Sequence, residues 1–184
     1  MPIRRDALAA ASEMVLAIER HCRERADTLV GTVGKLSIPG GGAINVIPGE
    51  VEFTVDLRSG DDAKRRAALI AVEAECHAIA ARRNASLTWE PFFELKAAPC
   101  DPRLQAQFAK SIERLGLPVR HLPSGAGHDA MEMANIAPIA MLFVRCGNGG
   151  ISHNPLETMT AEDADVATRV LLDFLEHFDP DALR

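Results

Sequence analysis

The sequence lacks the features that would direct a protein to a membrane or to nucleic acid. Its apolar runs fall short of the ~20 residues that a transmembrane helix needs. The N-terminus shows no basic segment followed by an apolar one, as a signal peptide would have. The formal net charge of -6 leaves no excess of basic side chains to neutralise phosphate groups. We therefore expect neither nucleic acid nor a membrane as a partner.

Cysteine is scarce, and the four cysteines are scattered along the chain. None belongs to a Cys-x-x-Cys pair, which excludes a zinc knuckle and argues against a disulfide framework. Unpaired thiols are typical of a reducing compartment, so we predict a cytoplasmic protein. Three catalytic signatures are also missing: the Gly-x-Ser-x-Gly elbow, the P-loop and the His-Glu-x-x-His zinc motif.

The composition is that of a soluble globular protein, with 47% hydrophobic and 25% charged residues over a length of 184. This length suffices for one domain or two small ones. In the first half, apolar periodicity predicts the order α-β-β-α-β, with helices over 4–20 and 61–83 and strands near 28–36, 50–58 and 87–95. One further strand in front would give the split β-α-β-β-α-β arrangement of ferredoxin-like folds.

Two of these elements allow the buried face to be predicted. In the strand over 50–58, alternate residues are apolar and the others polar, so one face should pack on the core. The helix over 61–83 begins after Asp61, a capping residue, and is rich in alanine. We expect its inner face to carry Ala67, Ile70, Ala71, Ala74 and Ala78.

A different pattern begins after the Pro-rich segment 97–102, where we place a domain boundary between residues 97 and 98. The second half is predicted to contain helices over 103–115, 129–134 and 161–178 and a single strand over 139–144. In the last helix we expect Thr160 to cap the N-terminus, and Val166, Val170, Leu171 and Leu175 to face inward. One strand cannot form a sheet, so this half resembles part of a larger domain.

The loop over 146–157 follows the predicted strand, and this is where α/β proteins place their chemistry. Three glycines allow close approach of the backbone to a ligand, and Pro155 stiffens the exit. His153 stands in this loop as either a metal ligand or a hydrogen-bonded loop histidine.

Three further positions are candidates for binding. Arg58 ends the polar face of its strand and could hold a carboxylate through two hydrogen bonds, or lie in solvent. Asn45 either stabilises a turn or offers a ligand both a donor and an acceptor. The glycine-containing segment 124–129 could form an anion-binding nest of backbone N–H groups, although Asp129 could equally be a helix cap.

Taken together, these segments resemble the M20-type metal-dependent amidohydrolases, in the group of allantoate amidohydrolases and N-carbamoyl-L-amino-acid hydrolases. The resemblance runs through almost the whole chain in the order of the family. The matching segments are Arg4-Arg5-Asp6-Ala7-Leu8, Asn45-Val46-Ile47-Pro48-Gly49, Asp56-Leu57-Arg58, Ser124-Gly125-Ala126-Gly127-His128-Asp129-Ala130 and Gly150-Ile151-Ser152-His153-Asn154-Pro155.

The resemblance implies an α/β fold in two parts. Residues 1–97 would be a ferredoxin-like, two-layer α+β lid and dimerisation domain that lacks its first strand. Residues 98–184 would be the C-terminal part of an α/β zinc-peptidase-like catalytic domain. Such enzymes carry two metal ions per subunit, zinc or manganese, and we expect a homodimer formed through the lid.

The same resemblance implies roles for five residues. His153 corresponds to the last metal ligand, Asn45 and Arg58 to lid residues that hold the substrate, and Gly127 with His128 to a loop on the substrate side. The other metal ligands and the catalytic glutamate of the family would precede residue 1, so we assign no catalytic residue here. We expect the 184 residues alone to be inactive.

The implied reaction is hydrolysis of a ureido or carbamoyl C–N bond of a small carboxylate, such as allantoate or an N-carbamoyl-L-amino acid. Two alternatives stay open. The protein could be an aminoacylase or dipeptidase of the same superfamily, or a non-catalytic, truncated module that binds a ligand or dimerises.

Overall fold

Two long helices and four short strands make up the first part of the chain in the computed structural model, which describes residues 3–183. The chain divides into two units after Ala97. Whether the first unit is a lid and the second a piece of a catalytic domain stays a prediction. The elements of the first unit are α1 (Ala7–Arg23), β1 (Val30–Thr32), β2 (Leu36–Ser37), β3 (Glu52–Phe53), β4 (Asp56–Arg58) and α2 (Asp62–Arg82).

Helix α1 begins at a capping aspartate and ends in basic residues. The Asp6 carboxylate accepts a hydrogen bond of 3.1 Å from the backbone N–H of Ala9, which satisfies one of the unpaired donors of the first turn. Arg20 and Arg23 lie in the last turn, where positive charge complements the helix dipole. The predicted first helix is therefore confirmed, but it begins and ends three residues later than predicted.

Helix α2 confirms the predicted cap, but the predicted inner face is wrong. Asp61 accepts hydrogen bonds from the backbone N–H groups of Ala63 and Lys64, at 2.8 and 3.1 Å. All five residues expected inside are exposed, Ile70 by 68%. Because alanine and other apolar residues occur on both faces, periodicity alone could not select the buried one. The buried residues are Ala68, Val72, Cys76, Ile79 and Ala80.

The predicted strand over 50–58 forms as two short strands. β1 pairs antiparallel with β4, placing Gly31 opposite Leu57, and β2 pairs antiparallel with β3, placing Leu36 opposite Phe53. The expected alternation is confirmed, since the odd-numbered residues from 51 to 57 are half-buried and the even-numbered ones exposed. β3 and β4 therefore pair with different strands, and the residues between them belong to neither ladder.

Between residues 87 and 95 the predicted strand is not formed. Leu87 and Trp89 pack against the core, but Phe93 is 73% exposed. Pro91 has no N–H to donate to a ladder. No strand within residues 3–183 pairs with this segment.

The core of the first unit lies where α1 packs against α2. Ile18, Val72 and Cys76 are each at most 2% exposed. Burial raises the pKa of the Cys76 thiol to about 11, so this cysteine stays protonated and packs as a small apolar side chain. The segment from β3 to β4 packs against this helix pair through Phe53, Val55 and Leu57.

The second unit contains α3 (Pro102–Arg114), α4 (Ala130–Met133) and α5 (Ala161–Glu176), with 3₁₀ turns at Asn148–Gly150 and Asp181–Leu183. The rings of Phe108 and Phe174 stack with their centroids 3.9 Å apart and join α3 to α5. The three predicted helices are confirmed, and Thr160 caps α5 by accepting a hydrogen bond from Asp163 N.

Two expectations for the second unit are wrong. Residues 139–144 form no strand, because no described segment pairs with them and a strand requires a partner for its backbone groups. Within this segment, Ile139 O accepts a backbone hydrogen bond of 2.8 Å from Asp101 N. On α5, Val170 is buried as predicted, but Leu171 and Leu175 are 44% and 63% exposed.

The two isoleucines on the long helices provide a matched test of this core. Ile18 is 2% exposed and Ile70 is 68% exposed. Ile18→Ala should lower the free energy of unfolding by ~2–5 kcal/mol because it leaves a cavity, whereas Ile70→Ala should change it by less than ~0.5 kcal/mol. Urea denaturation followed by fluorescence isolates the first unit, because Trp89 is the single tryptophan and packs on its core. Equal effects of both changes would contradict this packing.

Candidate functional site

The loop that carries His153 is closed by contacts between its two ends. Gly147 N donates to Thr158 O at 2.8 Å, and the Asn148 side-chain amide donates to Leu156 O at 2.7 Å. A Cβ at Gly147 would lie 2.7 Å from Thr158 Oγ1, so only glycine fits this closure without a shift. The loop is therefore fixed in shape by its own residues.

Its two ends are also attached to helix α5. Before the loop, the Arg145 guanidinium pairs with the buried Asp163 carboxylate at 2.6 Å. After the loop, the Thr160 hydroxyl bonds the same carboxylate at 2.5 Å. These two hydrogen bonds, that of Thr160 first, lower the pKa of Asp163. The carboxylate is thus charged at neutral pH and holds both ends of the loop.

His153 is exposed and has a positive φ of 58°. Its ring nitrogen Nδ1 lies 2.8 Å from Ser152 Oγ, and its backbone N–H donates to Glu157 Oε2 at 2.9 Å. With Nδ1 engaged by Ser152, Nε2 is the ring atom that could bind a metal ion.

The described residues supply one candidate metal ligand here but no complete site. Across residues 3–183, no group of three or more His, Cys, Asp or Glu side chains is arranged to hold a metal ion. Structural and catalytic zinc sites use three or four protein ligands. His153 therefore fits as one ligand, and a dinuclear centre requires donors beyond those described.

Arg58 lies at the end of β4, and a carboxylate from its own strand already engages its guanidinium. Nε and Nη2 donate to the two oxygens of Asp56 at 2.8 and 2.9 Å, which is bidentate geometry. The hydrogen bond to Arg58 lowers the pKa of Asp56, and the same bond raises the pKa of Arg58. Both side chains are half-exposed. The Arg58 guanidinium thus forms a bidentate fork that the Asp56 carboxylate occupies.

Asn45 is exposed at the tip of a tight turn. Ala43 and Val46 bridge across it, with Val46 N donating to Ala43 O at 3.3 Å. The neighbouring Ile44 is fully exposed. This position suits either interpretation of Asn45, the turn or the ligand contact.

Gly127 and His128 are exposed in the segment before α4. Asp129 occupies the N-cap position of this helix, as one interpretation predicted, but its side chain makes no capping hydrogen bond. The Ser124 hydroxyl bonds within the loop, to Ala126, at 3.3 Å. An anion-binding role for this loop stays a prediction.

The predicted site residues are distributed over both units. Asn45 and Arg58 belong to the first unit, while Gly127, His128 and His153 belong to the second. Sequence reasoning gave no role to Asp56, Ser152 or Glu157, which contact the predicted residues directly. The spacing of Asp56 two residues before Arg58 could have indicated the first contact, since both lie on one strand face.

Comparison with known proteins identifies the class to which this fold belongs. The profile of Peptidase family M20/M25/M40 matches residues 7–177. The chain therefore belongs to this family, and the resemblance inferred from its motifs is confirmed.

Within the family, the chain is most usefully compared with carbamoyl and allantoate hydrolases. It is 42% identical over 171 residues to N-carbamoyl-L-amino acid amidohydrolase of Geobacillus stearothermophilus, covering 93% of this chain and 41% of that protein. It is 37% identical to allantoate deiminase of Arabidopsis thaliana, covering 96% of this chain and 38% of that protein. The chain thus spans about two fifths of the length of these relatives.

A solved structure shows the same fold. The amidase of the hydantoinase/carbamoylase family from Burkholderia multivorans matches with a TM-score of 0.87 and 39% identity, covering 95% of this chain and 42% of that one. None of the helices described for this chain has the length and hydrophobicity needed to cross a membrane.

The ion pair of Arg58 and Asp56 predicts the titration of the aspartate. The pKa of Asp56 is lowered in the folded protein. The pair therefore stabilises the fold at pH values above the unfolded pKa of ~3.9. This stabilisation is lost as the pH falls through the lower pKa of the folded state. Arg58→Ala should move the titration midpoint of Asp56 up toward ~3.9. Carbon-detected NMR of the carboxyl group measures it. Lys64→Ala is the control, and an unchanged midpoint in Arg58→Ala would contradict the pairing.

Proposed function

We propose that the protein containing this chain hydrolyses the C–N bond of a ureido or carbamoyl group on a small carboxylate, such as allantoate or an N-carbamoyl-L-amino acid. The observation that carries the proposal is the preformed Arg58 fork on a chain 42% identical to an N-carbamoyl-L-amino acid amidohydrolase. Both substrate types bear a carboxylate that such a fork recognises. An aminoacylase or dipeptidase activity is less well supported, because the relatives compared above act on carbamoyl and allantoate substrates.

Each predicted site residue has a chemical task in this proposal. Arg58 binds the substrate carboxylate, exchanging the Asp56 carboxylate for that of the ligand or holding both. The Asn45 amide, exposed at its turn, offers a donor and an acceptor to the polar end of the substrate. Gly127 and His128 contribute a loop on the substrate side.

A metal centre would supply the nucleophile, since a bound ion brings the pKa of water to ~7 and polarises a carbonyl oxygen. We assign His153 Nε2 to this centre as one ligand and infer two ions per subunit, zinc or manganese. The described residues hold no group of three or more candidate ligands, so the centre needs further donors.

The architecture we infer follows from the same family. The first unit acts as a ferredoxin-like lid and dimerisation domain, and the second as the C-terminal part of an α/β zinc-peptidase-like catalytic domain. We further infer a homodimer formed through the lid. Four free cysteines, of which Cys22 and Cys76 are buried, are compatible with a cytoplasmic location.

Ligand binding tests the task of Arg58. Isothermal titration of the chain with N-carbamoylglycine should show binding that Arg58→Ala weakens by about 10- to 100-fold, because a charged, bidentate contact is lost. Arg66→Ala is the matched control, since this arginine lies in the same unit and pairs only distantly with Glu94, at 3.7 Å. Equal affinities of the two variants would refute the assignment.

Metal analysis of the chain by itself tests whether the 184 residues can form a metal site. The purified 184-residue chain, supplied with Zn²⁺ or Mn²⁺, should retain fewer than two ions per molecule and release no ammonia from allantoate or N-carbamoyl-L-amino acids, because the described donors do not complete a site. Intact mass, metal analysis and an ammonia assay measure this. Turnover that EDTA abolishes would show that the 184 residues suffice.

A further inference from the structure

The strongest unassigned feature is the backbone of His153, which has a φ of 58°. Positive φ is uncommon for residues other than glycine, and such residues persist only where the surroundings hold them. Two other described non-glycine residues share this conformation, and both are asparagines, which tolerate it well. A contact to the backbone of His153 would favour this conformation over the more common one with negative φ.

Glu157 provides such a contact. Its Oε2 accepts a hydrogen bond of 2.9 Å from the backbone N–H of His153. The carboxylate contacts the main chain of His153 and leaves the ring to Ser152, whose Oγ lies 2.8 Å from Nδ1.

The turn between the two residues brings the carboxylate to this position. Glu157 N donates to Asn154 O at 2.9 Å, and Asn154 Oδ1 accepts from Leu156 N at 2.9 Å. These two bonds form a turn that reverses the chain direction. The Glu157 side chain therefore points back toward His153, which precedes the turn. The hydrogen bond between Gly147 and Thr158 closes the loop that carries His153 and keeps this turn in place.

We propose that Glu157 is the positioning residue of His153. It holds the left-handed backbone through the His153 N–H and thereby sets the direction in which the imidazole leaves the loop, while Ser152 fixes the rotation of the ring. The inference deepens the proposed function, because it rests on His153 as a metal ligand. Glu157 acts through the backbone of His153.

NMR of the 184-residue chain tests the geometry. The intraresidue NOE between the amide hydrogen and Hα of His153 is strong when φ is positive, because the two hydrogens then lie close together. Glu157→Ala should weaken this NOE and speed hydrogen exchange of the His153 amide at least about tenfold. Glu157→Gln should preserve both, since its side-chain carbonyl also accepts a hydrogen bond.

Two further variants complete the design. Glu157→Asp shortens the side chain and should behave like Glu157→Ala, which supplies a second measurement if the alanine variant does not fold. Glu176→Ala, an exposed glutamate of α5, should change nothing at His153. An unchanged NOE and exchange rate in Glu157→Ala, or equal disruption in Glu157→Gln, would overturn the proposal.

Zinc titration separates this inference from the proposed function. The concentration of Zn²⁺ that half-saturates the change in the His153 ring resonances should rise at least about tenfold in Glu157→Ala, as for other residues that orient metal ligands. His153→Ala should abolish the response. If zinc leaves the wild-type ring unchanged, the metal role of His153 fails, while the amide measurements still decide the role of Glu157.

Discussion

The packing of α1 against α2 determines the position of Arg58. The helix pair buries Ile18 and Val72, and β4 lies on this core through Leu57. Because side chains alternate along a strand, burial of Leu57 turns Arg58 to the opposite, exposed face. The position of Arg58 is thus set by the apolar contact of its neighbour.

A glycine makes this arrangement possible. Gly31 pairs with Leu57 across the β1–β4 ladder, and a Cβ at Gly31 would lie 2.1 Å from Cys22 Sγ on α1. Only a residue without a side chain allows the strand to approach the helix so closely. Since β4 is held by β1, the close approach at Gly31 also fixes the strand that ends in Arg58.

The sequence predicted much of the local structure, because that structure depends on neighbours in the chain. The caps at Asp61 and Thr160 and the alternating face of residues 50–58 follow from short-range chemistry, and all are confirmed. The inner face of α2 could not be predicted, since its alanines give no apolar contrast between faces. The strand over 139–144 failed for another reason, because strands need partners that sequence periodicity does not locate.

The same distinction applies to the candidate site. His153 and Arg58 were identified from their motifs, but the contacts that orient them were not. The Glu157 contact depends on a positive φ at His153, and sequence does not show that histidine adopts this conformation. Contacts between a side chain and a neighbouring backbone can therefore be identified only from the structure.

Arg58 and His153 have the same local arrangement: each is held by a carboxylate at most four residues away in the chain. Asp56 engages the Arg58 guanidinium and Glu157 the His153 main chain. Because these contacts are local, each group acquires its orientation within its own unit, before any long-range partner is required. Groups held in this way lose little further freedom when another group binds them. A chain that spans about two fifths of the length of its relatives therefore fixes the orientation of both groups with its own residues.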